Sequence, residues 1–164
     1  MRLSFAVSAP SALWRRLPGA RTLARETLAA AAQECGFPPR GRAEVSLRLS
    51  DDAELSALNA RWRGLDKPTN VLAFPAAPPE RNAEAPMLGD VIIAYETTAR
   101  EAAEAGKPLA DHFRHLVAHG FLHLIGYDHQ SPDEAERMET LERRILARLG
   151  VADPYEAPLA EAGA

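Results

Sequence analysis

The sequence predicts an α+β fold: a small four-stranded sheet packed against about five helices, one of them central. Three observations carry this. First, "RLSFAVS" near the start and "AEVSLRLS" (43–50) alternate apolar and polar residues with period two, as half-buried strands do. Second, four short strand-like runs are followed by helices clustered in the second half of the chain. Third, "PLADHFRHLVAHGFLHLIG" (108–126) bears Leu109, Phe113, Leu116, Val117, Leu122 and Ile125, with few charges after Arg114. So broad an apolar surface belongs to a helix that other elements nearly surround.

The elements follow in order. After the first strand, an alanine-rich helix runs from about Arg21 to Cys35, stopped by Gly36, Pro38 and Pro39. "SDDAELSALNARWRG" is a helix capped by Ser50 or Asp51, with Glu54 in its first turn and Gly64 as its stop. "TNVLAF" (69–74) and "MLGDVIIA" (87–94) are two further strands, and the proline-rich "PAAPPERNAEAP" between them reads as an exposed loop. "YETTAREAAEAG" ends at Gly106, and Pro108 opens the central helix. "SPDEAERMETLERRILARLG" is amphipathic, with Ser131 as cap and Pro132 in the first turn. Residues 1–151 are thus expected to form a single domain, and 152–164 a flexible tail.

Composition places the chain among ordinary globular proteins, at 46% apolar and 26% charged residues. No apolar run approaches the ~20 residues that span a bilayer, so no membrane partner is expected. Arg15 and Arg16, and the strand-like alternation of "LSFAVS", argue against a secretory signal. The single cysteine, Cys35, cannot form an internal disulfide, which fits a reducing, cytoplasmic location. Net charge is −4, but it is unevenly spread: residues 1–70 carry eleven Lys+Arg against seven Asp+Glu, and residues 71–164 eight against sixteen. A basic first half can face phosphates. Uneven charge is also common on plain solvated surfaces, so it does not by itself name a partner.

All five histidines fall between residues 112 and 129, in and after the central helix. His119 and His123 are four residues apart and project from one face. His115 lies on the same face, but about 12 Å along the axis from His123, too far for one ion to join both. His129 follows Gly126, which can end the helix in a left-handed conformation and turn the chain back. The expected ligand set is therefore His119, His123 and His129, holding one zinc ion per chain. Three neutral imidazoles leave one tetrahedral position open, the catalytic rather than the structural pattern. His115 is a candidate to support a ligand from behind. Asp128 can orient a ligand imidazole or accept a proton, and it can equally cap the turn.

"HGFLHLIGYDH" (119–129) resembles the signature of the YbeY family of bacterial endoribonucleases. "LNARWRGLDKPTNVLAFP" (58–75) and "LGDVIIA" (88–94) are similar to two further blocks of that family, in the same order. The departures are small: Asn70 and Ala73 stand where an aspartate and a serine are common, so neither side chain is given a role. The resemblance implies a mixed sheet around a central metal helix, and zinc on His119, His123 and His129. It implies hydrolysis of single-stranded RNA, maturation of the 16S rRNA 3′ end, and ribosome quality control. The partners implied are pre-rRNA and the small ribosomal subunit with its assembly factors. It also implies a functional arginine at Arg63. A guanidinium fork suits the charge that builds on a phosphodiester, although an arginine in a last helical turn also complements the helix dipole.

Two other readings compete. The spacing H-x-x-x-H-x-x-G-x-x-H, a metzincin-like helix and turn, is also that of zinc peptidases, whose glutamate base follows the first histidine. Gly120 occupies that position and offers no base, a deficit worth typically ~10²–10⁴-fold in rate. RNA needs less help, since its 2′-hydroxyl or a metal hydroxide can attack the phosphate. The second competitor is a metal-stabilised assembly factor that binds pre-rRNA without cutting it. A fourth protein ligand closing the site would favour it.

Overall fold

The computed structural model describes residues 2–36, 42–64, 69–76 and 87–156. Its elements run β1 (Arg2–Ser8), a short 3₁₀ turn (Ala12–Arg16), α1 (Ala20–Glu34), β2 (Arg42–Ser50), α2 (Asp52–Arg63), β3 (Val71–Pro75), β4 (Met87–Ala94), α3 (Tyr95–Ala105), α4 (Leu109–Leu124) and α5 (Pro132–Arg148). Four strands and five helices make the expected α+β architecture. Most of the proline-rich segment between β3 and β4 lies outside the described residues.

The sheet has the order β1-β2-β4-β3. β2 runs parallel to both β1 and β4, while β3 is an antiparallel edge strand against β4. The alternation read in β2 appears as burial: Ala43, Val45, Leu47 and Leu49 are buried, whereas Glu44 and Arg48 are exposed. One irregularity had no sequence signal. Glu44 pairs with Met87 and Val45 with Gly89, so Leu88 is an extra residue in β4. The bulge changes the parity of the strand. Leu88 consequently joins the same core cluster as Val91 and Ile93.

That main core lies between the sheet and α1, α4 and α5. α4 contributes Phe113, Leu116, Val117, Phe121, Leu122 and Leu124, all buried. It touches α1, α3, α5, β3 and β4, so the apolar helix is the central one. The opposite sheet face carries a smaller cluster, Leu55, Leu72, Ile92 and Ala94, covered by α2.

The expected caps are present. Asp51 accepts the backbone N–H of Glu54 at 2.9 Å, and Ser131 that of Glu134 at 3.2 Å. α2 and α3 are tied end to end: Asp52 accepts from the backbone and hydroxyl of Thr97, and Glu96 accepts the N–H of Asp52 at 2.9 Å. None of the described helices is long and apolar enough to cross a membrane. Residues 153–156, part of the segment expected to be a flexible tail, form a turn beside α5 in which Asp153 accepts from Arg143 and from the N–H of Tyr155. This turn brings Tyr155 to the histidine cluster.

Candidate metal centre

α4 packs on the sheet with Gly120 against β4, which leaves its neighbours His119 and His123 facing a cleft at the β3 edge. The helix ends at Leu124. Gly126 has φ 103°, a conformation that side-chain-bearing residues rarely adopt, and its N–H reaches the His123 carbonyl while that of Tyr127 reaches Leu122. The reversed chain brings His129 back over the helix end. Asp128 accepts the N–H of His129 at 2.8 Å, so its carboxylate braces the turn.

Each of His119, His123 and His129 offers a ring nitrogen, and these three atoms lie within 4.8 Å of one another. Among the described residues no other histidine, cysteine or carboxylate joins the group. The Nε2 atoms of His119 and His123 are 3.1 Å apart. Imidazole nitrogens at ~2.0–2.1 Å around a tetrahedral zinc would sit about 3.3 Å apart, so the spacing fits. Two lone pairs at this distance repel unless a proton or a cation lies between them. A third imidazole facing the same space favours the cation. His123 also meets the chemical requirement: burial first, then His119 and His129, lower its pKa to about 4, which keeps it neutral and able to ligate.

The cleft has a volume of about 480 Å³. One wall is the three imidazoles with Gly120, Tyr127 and Asp128; the other is the β3 edge from Thr69 to Pro75. Asn70 lines it, but its side chain is engaged elsewhere, donating to Glu101 at 3.0 Å and accepting from the N–H of Val71. His112 faces the same Glu101 at 2.9 Å, outside the triad. Arg63 is the last residue of α2, and its side chain lies outside the described residues.

One residue of the site escaped the sequence reading. Glu142 of α5 is 1% exposed. One carboxylate oxygen is 3.1 Å from His119 Nδ1. The other meets His115 Nε2 in a short contact and accepts the Tyr155 hydroxyl at 2.5 Å. Burial alone would raise the pKa of this carboxyl, but the hydrogen bonds from His115, His119 and Tyr155 prevail and hold it at about 2. In the same contact burial and Glu142 push the Tyr155 phenol well up, so it remains a donor. The missed signal was positional. Met138, Glu142 and Ile145 recur along the buried face of α5, where a glutamate interrupts an apolar stripe.

Comparison with known proteins gives a consistent result. The family model described as endoribonuclease YbeY matches residues 16–150. An endoribonuclease YbeY of Methylocella silvestris is 54% identical over 147 residues, covering 90% of this chain and 82% of that protein. One from Bradyrhizobium diazoefficiens is 53% identical over 146 residues, covering 87% and 79% respectively. Among solved structures, a Thermotoga maritima protein determined in solution aligns over 94% of this chain and all of its own, with a TM-score of 0.56 and 21% identity. At that identity the likeness concerns the fold.

Proposed function

This chain belongs to the YbeY endoribonuclease family, and from that premise we propose that it is a zinc-dependent hydrolase cutting single-stranded RNA in the cytoplasm. Its substrate is pre-rRNA, its task the finishing of the 16S rRNA 3′ end and ribosome quality control, and its partners are the small subunit and its assembly factors. The observation that carries the reading is the convergence of His119, His123 and His129 on one space within the cleft.

The three imidazoles would hold the ion. When bound, zinc supplies a Lewis acid for a phosphoryl oxygen and lowers the pKa of water towards ~7. The protein's own residues do the rest. The cleft volume lies within the ~300–1,000 Å³ typical of small-molecule sites, a size that admits a nucleotide. Its wall is an edge strand, along which an extended chain can lie. Arg63, at the end of α2, provides the charged fork for the nonbridging oxygens. Gly120 contributes no base, and phosphodiester cleavage with a neighbouring 2′-hydroxyl needs less of one than peptide hydrolysis does.

The test pairs two measurements on one preparation: metal content, and cleavage of unpaired against duplex RNA. About one zinc per chain and selective cleavage of the unpaired strand are expected. Undiminished cleavage by metal-free protein would sink the proposal.

A further inference from the structure

We infer that Glu142 is a positioning residue that fixes the ring and tautomer of His119, with Tyr155 and His115 holding its carboxylate in place. This rests on the metal site proposed above and goes beyond the ligand set.

The geometry assigns Glu142 this part by elimination. Its carboxylate meets His119 at Nδ1, whereas the nitrogen that faces His123 is Nε2. Glu142 therefore stands behind the ring. It cannot be a ligand of the same ion, and at 1% exposure it cannot reach a substrate. What it can do is accept a hydrogen bond from Nδ1–H, which leaves the Nε2 lone pair free for a cation and makes that nitrogen a stronger electron donor. A histidine with no such partner divides between two tautomers and rotates more freely.

The remaining bonds make Glu142 a fixed point. Its other oxygen is shared by His115 Nε2 and the Tyr155 hydroxyl. Tyr155 itself lies edge-on to the His115 ring, with centroids 5.5 Å apart, and the Arg143 guanidinium carbon lies over the Tyr155 ring at 5.2 Å. The turn after α5 thus reaches the site through Tyr155, and His115 acts from outside the triad. A buried carboxylate with partners on both oxygens is committed to one orientation.

The decisive experiment is binding of Co²⁺ and Zn²⁺ to the full-length chain by chelator competition, with the Co²⁺ visible spectrum as a second readout. Wild type is compared with Glu142→Gln, Glu142→Ala and Tyr155→Phe. Glu142→Gln keeps the volume and should fold with wild-type circular dichroism, yet bind metal about 10–100-fold more weakly with an altered Co²⁺ spectrum. Tyr155→Phe should lose less. Folded Glu142→Gln with wild-type affinity and spectrum overturns the inference while leaving the metal site intact. Wild type that binds no metal overturns the site and the inference together. A second measurement needs no variant: imidazole ¹⁵N shifts of zinc-loaded wild type should show His119 protonated at Nδ1 and metal-bound at Nε2, and the reverse assignment refutes the role.

Discussion

Gly120 of α4 lies so close to Val91 of β4 that a Cβ built there would fall 2.6 Å from one Val91 methyl and 3.2 Å from the other. Helix and strand meet at this point through the Val91 side chain, with none contributed by the helix. Gly120→Ala gains about 1 kcal/mol of helix propensity but overpacks the contact at a cost of ~1–3 kcal/mol. A net loss of about 1 kcal/mol in urea unfolding is expected. In the double variant with Val91→Ala the alanine at 120 should cease to be destabilising, a non-additivity that two unrelated sites would not show. Additive losses would refute the contact.

His119→Ala and Arg63→Ala should fail in different ways. Without His119 the ligand set drops to two, so bound zinc and RNA cleavage should disappear together. Arg63→Ala should keep its zinc and lose about 10²-fold or more in cleavage rate, the scale of removing one charge-stabilising donor. Metal analysis beside initial rates separates the two. Loss of zinc from Arg63→Ala would recast Arg63 as a structural residue.

Trp14 is 3% exposed, stands edge-on to Tyr95, and donates its indole N–H to the Ser50 carbonyl at 2.8 Å. Ser50 ends β2 just before the cap of α2. Trp14→Phe leaves a buried carbonyl without this donor, at ~1–3 kcal/mol. Thermal unfolding should fall by several degrees, with cleavage by the folded enzyme unchanged.

Cys35 sits at the C-terminal end of α1, where burial first and Glu34 second raise its thiol pKa to about 11. Alkylation at pH 8 should therefore be much slower than for a free thiol, and should accelerate as pH approaches 11. The sign for stability follows. Between pH 9 and 11 the folded chain holds a proton that the unfolded chain has released, so this group's contribution falls as pH rises through that window. Urea unfolding of the wild type and Cys35→Ala across it should show the wild type losing more. An equal loss would refute the shift.

The parts of the fold that repeat were legible, and the parts made by a single residue were not. Period-two burial in β2 and the apolar breadth of α4 announced themselves because many residues carry the same message. The extra Leu88 in β4 and the antiparallel edge position of β3 depend on pairing partners, which a linear pattern does not name. In the site, His119 and His123 were readable from helical spacing, and His129 from Gly126. Glu142 was not, because α5 also carries Asp133, Glu134, Glu136 and Glu139. Only its place on the apolar face sets it apart, and only the packing of α5 beside α4 shows what it meets. Tyr155 was hidden by a segment whose composition suggested no structure.

The three imidazoles come from eleven consecutive residues, and for the proposed zinc site this affects how ion binding and stability would be linked. Joining them closes a short loop, which costs little chain entropy even when the rest of the protein is unfolded. The denatured chain can therefore compete for the ion, and binding to that state subtracts from the stabilisation that affinity alone would give. If zinc occupies the proposed site, the rise in melting temperature on adding it should accordingly understate the affinity of the folded state. The shortfall measures how much of the site is built by local sequence, as opposed to the packing that delivers Glu142.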